Sequence, residues 1–236
     1  MKLTIKVEGL SYRYPQTNRM VLDSAECTIK TGEIVNLIGL AESGKSTFCR
    51  LMKGFEEPTG GRFALLSGDG NVRTVRGQER LNLIGWTPPL PETAFFAETV
   101  YDEIAFGLQN QGVEQAEQRQ KVERVINLLA LAPELLSRYP QTLSGGEKRR
   151  VALASIAVMD YQFYIFDEPT AGLDYNGVRA FEQLISQLQT EGKGVIRVGH
   201  DLDNMKRAGG RFLLLEQGKL WETVKVEQYL ERYGAV

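Results

Sequence analysis

Gly39 and Gly44 stand five positions apart, with Lys45, Ser46 and Thr47 directly after the second glycine. The run Gly39-Leu40-Ala41-Glu42-Ser43-Gly44-Lys45-Ser46-Thr47 follows a β-branched stretch, Ile34-Val35-Asn36-Leu37-Ile38, and precedes a helical period. A strand that ends in such a loop and restarts as a helix turns several backbone N–H groups, and the positive end of the helix, toward one point. That point suits an anionic phosphate, with Lys45 reaching the β- and γ-phosphates and the Ser46 hydroxyl a Mg2+ ion. Gly39, Ser43, Gly44, Lys45, Ser46 and Thr47 are the expected contacts. The competing reading is a glycine-rich turn with no ligand, and the rest of the chain decides between them.

A strand–loop–helix unit of this kind asks for a wound α/β sheet with ligand sites at the carboxyl ends of its strands. Two further apolar runs, Phe163-Tyr164-Ile165-Phe166 and Val195-Ile196-Arg197-Val198, lack clean alternation, as parallel strands covered on both faces do. Helical periods lie between them: Val122, Val125, Ile126 and Leu129 share one face, and Val178, Phe181, Leu184, Ile185 and Leu188 another. From Pro88 to Met159 the chain reads as helix after helix, entered through a loop, Thr87-Pro88-Pro89-Leu90-Pro91. The first third, with residues 3–7, 63–67 and the turn Gly68-Asp69-Gly70, reads as an antiparallel layer, and a last helix is expected over 225–232. The predicted organisation is a nucleotide-binding core with a β layer over 1–87 and 160–236, and an inserted helical subdomain over 88–159. A chain of 236 residues is long enough to bury such a core.

The formal charge of -2 argues against a partner held by a basic face, nucleic acid included, and Lys148, Arg149 and Arg150 are too few to change that. Cys27 and Cys49 show no metal or redox spacing and read as small buried hydrophobes in a reducing cytosol. Lys2 and Lys6 interrupt a strand-like start where a signal peptide would need an apolar run. The longest apolar run, 151–159, is about half of what a membrane span requires. Any membrane role is therefore expected to come through a partner.

Three more segments carry chemistry. The strand ending in Phe166-Asp167-Glu168 delivers two carboxylates to its carboxyl end, where Asp167 would hold Mg2+ and Glu168 would orient or deprotonate an attacking water. A solvated acidic turn is the alternative. Leu143-Ser144-Gly145-Gly146-Glu147 opens a helix whose positive end suits a phosphate, with Ser144 and the glycine amides as donors; an ordinary capped start, with Ser144 as the cap, is the alternative. His200, the one histidine of the chain, follows the strand at 195–198, and stands either for packing or for chemistry at that strand's end.

Taken together these segments resemble the ABC transporter ATPase family along essentially the whole chain. The resemblance rests on the phosphate loop at 39–47, LSGGE at 143–147, FDEPT at 166–170, Ala171-Gly172-Leu173-Asp174 and His200, in that order. It implies an ABC-type P-loop NTPase fold, with a RecA-like core, an antiparallel β subdomain and an inserted helical subdomain. It also implies ATP with Mg2+ (metal contacts Ser46 and Asp167), catalysis by Glu168 and His200, and a dimer in which Ser144, Gly145 and Gly146 contact the ATP held by the second ATPase subunit. Asp174 would belong to the nucleotide site, and Tyr14 would stack on adenine, with Tyr12 as the alternative. The segment 95–107 resembles energy-coupling factor ATPases, which power uptake of vitamins and of cobalt or nickel ions. That narrower likeness implies an integral membrane coupling subunit, a substrate-capturing membrane subunit, and a place on the cytoplasmic face of the cell membrane. Members of that group continue beyond the point where this sequence stops, so a C-terminal extension used for dimer contact is expected to be missing.

Two positions depart from the family pattern. Glu42 stands where glycine is usual, and the loop near Pro89 lacks the glutamine usual there; no glutamine occurs between Leu81 and Leu108. A carboxylate 4 Å from a phosphate would be repelled by about 4 kcal/mol in an intermediate dielectric, so Glu42 is expected to face outward. Both departures fall on the chain's own nucleotide site, which raises the expectation of an asymmetric pair, this chain being the slow or regulatory half. A soluble ABC protein of DNA repair or translation is the remaining alternative, against which the absence of long coiled-coil insertions and duplicated cassettes in the sequence counts.

Overall fold

The computed structural model describes residues 2–16, 19–90 and 94–223. The helix expected over 225–232 lies outside the described residues. The described residues fall into two compact units: those within 1–86, 161–167 and 188–223 in the first, and those within 87–160 and 168–187 in the second.

The first unit contains two sheets. β1 (Leu3–Arg13), β2 (Met20–Lys30), β4 (Gly60–Ser67) and β5 (Val72–Thr74) form an antiparallel sheet in the order β2-β1-β4-β5. Along β1, Leu3, Ile5, Val7, Leu10 and Tyr12 are buried while most of the residues between them are half-exposed, the signature of a sheet with one face on the core. The second sheet has the order β10-β9-β3-β8-β7-β6, with β3 (Ile34–Ile38), β6 (Ile84–Thr87), β7 (Phe163–Asp167), β8 (Gly194–Val198), β9 (Arg211–Glu216) and β10 (Lys219–Thr223). β3, β7 and β8 are buried at every position, and β3 pairs in parallel with β8 and β9, as β7 does with β8. These are the runs of the sequence that lack clean alternation, and Asn36 and Arg197 are buried within them. Thr87, expected to open a loop, instead closes β6.

β9 and β10 pair antiparallel through a turn at Gln217 (φ 49°) and Gly218 (φ 78°). Positive φ at both central positions matches the right-handed twist of the flanking strands. Helix α1 (Lys45–Lys53) buries Phe48, Cys49, Leu51 and Met52 in the same core as Ile5, Phe63, Phe163 and Leu215. Each such side chain stabilises the fold by roughly 1.5–3 kcal/mol. A short helix, α2 (Gly77–Leu83), leads into β6.

The second unit contains α3 (Val100–Asn110), α4 (Gln115–Leu128), α5 (Gly145–Ala157) and most of α6 (Tyr175–Thr190). Thr99 caps α3 by accepting from the Asp102 amide at 3.1 Å. Val100, Ile104 and Leu108 are buried, as are Val122, Val125 and Ile126 of α4, so the apolar stripe of each helix is its packing face. A carbon added at Gly107 would lie 2.6 Å from Met159 Sδ, so a larger residue there would require the methionine side chain to move. Among the described residues no helix is long and apolar enough to cross a membrane.

Candidate functional site

Three chemical groups leave the first unit's sheet at one edge. Val198 pairs with Leu37 on one side and with Asp167 on the other, so the ends of β3, β8 and β7 are level and adjacent. Strands about 4.8 Å apart bring the loop after Ile38, the segment carrying His200 and the Asp167 carboxylate to neighbouring positions.

The chain after β3 hugs the sheet. A side-chain carbon at Gly39 would collide with the Leu215 carbonyl and lie 2.7 Å from Ser43 Oγ, and one at Gly44 (φ 103°) would lie 2.9 Å from Val21. Only glycine fits both places. Lys45 is buried, and its Nζ donates to the carbonyls of Gly39 and Leu40, each at 2.8 Å. Ser43 Oγ is buried with no hydrogen-bond partner. Such a group costs about 1–3 kcal/mol, which a ligand oxygen at the loop would recover. Ser46 is exposed on the first turn of α1. The loop therefore fits a phosphate. Among the described residues no three His, Cys, Asp or Glu side chains form a metal cluster, so a cation between Ser46 and Asp167 would need phosphate oxygens or water to complete its shell.

Asp167 is 3 % exposed at the last position of β7. Burial pushes the Cys49 thiol well above its ordinary range, with the nearby Asp167 charge adding and Lys45 opposing. That agrees with Cys49 being an inert core residue. His200 is exposed, two residues past β8, and Asp201 caps α7 (Leu202–Ala208) by accepting from the Asn204 amide at 3.0 Å.

Tyr12 and Tyr14 have different surroundings. Tyr12 is buried and donates to Glu56 at 3.0 Å, whereas Tyr14 is half-buried with its hydroxyl 3.0 Å from Thr47 Oγ1, beside the phosphate loop. Glu42 (φ 60°) has its side chain 84 % exposed, 4.0 Å from Arg19, so it faces outward as tight phosphate binding requires.

In the second unit, α5 starts at an exposed N-terminus. Ser144 is the cap: its hydroxyl accepts from the Glu147 amide at 3.4 Å and donates to Glu147 Oε2 at 2.7 Å, while the Ser144 amide donates to the same oxygen at 2.8 Å. Those bonds to Ser144 hold the Glu147 carboxyl below its ordinary value. A carbon at Gly145 would meet nothing within 4 Å, and one at Gly146 only the Gly172 carbonyl at 3.6 Å. Neither glycine is required by this chain. Asp174 accepts from the Gly177 amide at 2.7 Å and so caps α6. Glu168, half-buried, sits at φ 50°, and its carbonyl accepts from Arg149 Nη2 at 3.0 Å.

The sequence pattern of the family described as ABC transporter matches residues 22–171. This chain belongs to the ABC transporter family. The cassette is similar to an energy-coupling factor transporter ATP-binding protein, EcfA2 of Acetivibrio thermocellus, at 37 % identity over 92 % of this chain and 78 % of that protein. Its fold is similar to that of cbiO1 from Clostridium perfringens, described as part of the ABC transporter complex cbiONQ. There the TM-score is 0.80 at 29 % identity, over 97 % of this chain and 91 % of that one. It is also similar to a dimeric structure of MJ0796, a bacterial ABC transporter cassette, with a TM-score of 0.79 at 25 % identity over 92 % and 96 % of the two chains.

Two buried arginines of the cassette escape a reading of its sequence. Arg197, in the central strand β8, donates to Asn36 at 2.9 Å and to the Gly209 carbonyl at 2.7 Å, anchoring the far end of α7, the helix that follows His200. A charge inside an apolar run is the signal for it. Arg149 is 4 % exposed while its neighbours Lys148 and Arg150 are half-exposed, and nothing in the string Lys-Arg-Arg tells which of the three turns inward.

Proposed function

We propose that this ABC cassette is the ATP-hydrolysing subunit of an energy-coupling factor type importer, working as half of a nucleotide-sandwiching pair at the cytoplasmic face of the membrane. The observation that carries the subtype is the 37 % identity to an EcfA2 protein, spread over 92 % of the chain. In this reading Gly39, Ser43, Gly44, Lys45 and Thr47 hold the phosphates of ATP, and Tyr14 meets the adenine. Ser46 and Asp167 hold Mg2+. The ion supplies positive charge against the phosphate oxygens. Glu168 orients and deprotonates the attacking water, His200 contacts the γ-phosphate, and Asp174 completes the site.

The signature turn supports the sandwich. Glycine at the start of a helix costs up to about 1 kcal/mol against alanine, and nothing inside this chain asks for it at Gly145. An exposed helix N-terminus with no Cβ at its first position suits close approach of a phosphate held by another subunit. ATP binds the closed pair better than the open one, which is how a ligand drives closure, and hydrolysis at Glu168 reopens it. The membrane partner has an apolar landing place in the second unit. Phe96 and Phe106 are 63 % and 43 % exposed with ring centroids 4.6 Å apart, and Leu90 is 64 % exposed.

Glu168→Gln should trap an ATP-bound dimer, read by gel filtration with ATP and Mg2+; a monomer at saturating nucleotide would sink the sandwich. Purification from detergent-solubilised membranes should bring down an integral coupling subunit and a substrate-capturing subunit. A slow, regulatory role in an asymmetric pair is favoured by Pro89 alone, now that Glu42 faces outward. Single-turnover hydrolysis separates the two, and Pro89→Gln should accelerate the slow form.

A further inference from the structure

Arg149 spans three pieces of backbone within the second unit. Its guanidinium donates to the Pro89 carbonyl, to the Glu168 carbonyl at 3.0 Å and to the Ala171 carbonyl at 3.4 Å. The Glu168 carbonyl also accepts from the Ala171 amide at 3.2 Å, so the arginine clasps both ends of one turn. That turn is not relaxed. Glu168 lies at φ 50°, a left-handed conformation that costs a non-glycine residue on the order of 1–2 kcal/mol, and it precedes Pro169, which restricts its backbone further. Such strain persists only where the surroundings over-determine it. A buried arginine with three carbonyl acceptors does that. A lysine, with a compact point charge and no planar fork, cannot match it.

We propose that Arg149 is a positioning residue for hydrolysis: it fixes the backbone at the root of the Glu168 carboxylate and ties it to the Pro89 segment. The proposal rests on the reading that Glu168 activates the attacking water. It also supplies a link that the sequence lacks. With no glutamine side chain between Leu81 and Leu108, the Pro89 segment still reaches the catalytic turn through its own carbonyl and the Arg149 guanidinium. Displacement of the Pro89 segment would then shift the Glu168 backbone without a side chain that touches nucleotide.

The test is Arg149→Lys in the full chain, alone and combined with Glu168→Gln. Arg80→Lys serves as the comparison, because Arg80 in the first unit is also buried and donates to three carbonyls, of Leu51, Val75 and Glu56, away from the site. Glu168→Gln alone must first abolish most turnover; if it does not, the reading of Glu168 fails, and Arg149 has nothing to position. Given that loss, Arg149→Lys should lower kcat roughly ten- to hundredfold, as small misplacements of catalytic groups do, while KM for ATP and nucleotide affinity stay within about twofold. In the Glu168→Gln background it should lower the residual rate no further. Arg80→Lys should cost thermal stability and leave kcat alone. An unchanged kcat in Arg149→Lys, a parallel rise in KM, or losses that multiply in the double variant would overturn the proposal. Should Arg149→Lys not fold, Arg149→Gln takes its place; if neither folds, the arginine is a purely structural clamp and the proposal is wrong.

Discussion

The hydroxyls of Tyr14 and Thr47 stand 3.0 Å apart, which ties the chain just past β1 to the first turn of α1, at the phosphate loop. The ring, not the hydroxyl, is the part that would meet a base. Tyr14→Phe keeps the ring and removes one hydrogen bond, so ATP affinity should change by less than about fivefold. Tyr14→Ala should weaken it by about 1–3 kcal/mol, the range found for base–aromatic stacking, or roughly 5- to 150-fold in Kd. Fluorescent-nucleotide titration reads both. An unchanged Kd in Tyr14→Ala, with a loss in Tyr12→Ala, would hand the role to the buried neighbour.

Much of this site was legible because its chemistry is local in sequence. The phosphate loop, Asp167 and His200 each follow an apolar run, and parallel strands buried on both faces, β3, β7 and β8, write such runs plainly. β9 and β10 are harder to see: residues 212–215 form an apolar run as short as that of β7, but no chemical motif follows it to set it apart from a buried helix segment, and Leu220 is the one buried apolar side chain of β10 among the described residues. What no local pattern reveals is a side chain whose partners are backbone atoms far away. Arg149 reaches carbonyls 60 and 19 positions distant, and Arg197 an asparagine 161 positions distant. Helix-start segments are legible but ambiguous: Ser144 is an ordinary cap in the structure, and its capping bonds leave the helix end exposed all the same.

Glu42 holds a left-handed backbone with its carboxylate in solvent. Glu42→Gly removes the steric penalty of a Cβ at positive φ, worth about 1 kcal/mol, which for a chain of this size is about 2–4 °C in Tm. The carboxylate is screened, so ATP affinity should rise by no more than about fivefold at physiological ionic strength, and the gain should fade as salt approaches about 1 M. A hundredfold gain, or one insensitive to salt, would mean that the side chain lies against the phosphates.

Glu147 gives the cap of α5 a pH dependence whose sign is fixed. Its folded pKa lies below the ordinary 4.5 because Ser144 donates to the carboxylate. The ionised form is therefore favoured in the folded state, and the stability it contributes is present above about pH 4.5 and lost as pH falls through the lower folded value. Glu147→Gln keeps the cap's shape but not its charge. Urea unfolding should show the native protein ahead by about 0.5–1 kcal/mol near pH 7, and no difference once both states are protonated near pH 2. A gap that persists there would point to geometry and not to charge.

Gly145→Ala separates what the chain needs from what the assembly needs. Inside the chain an added methyl meets no atom within 4 Å, and alanine is the better helix former. The variant should therefore unfold at the same or slightly higher temperature, with a gain of up to about 1 kcal/mol. In the nucleotide-closed pair the same methyl would stand between the helix N-terminus and a phosphate of the neighbouring site, where close backbone approach is what glycine allows. ATP-dependent dimerisation in the Glu168→Gln background should then weaken at least tenfold, about 1.4 kcal/mol, by analytical ultracentrifugation. Opposite signs in the two measurements are the signature of an intermolecular contact. If the dimer forms as tightly with alanine as with glycine, the turn at Ser144 does not face a nucleotide.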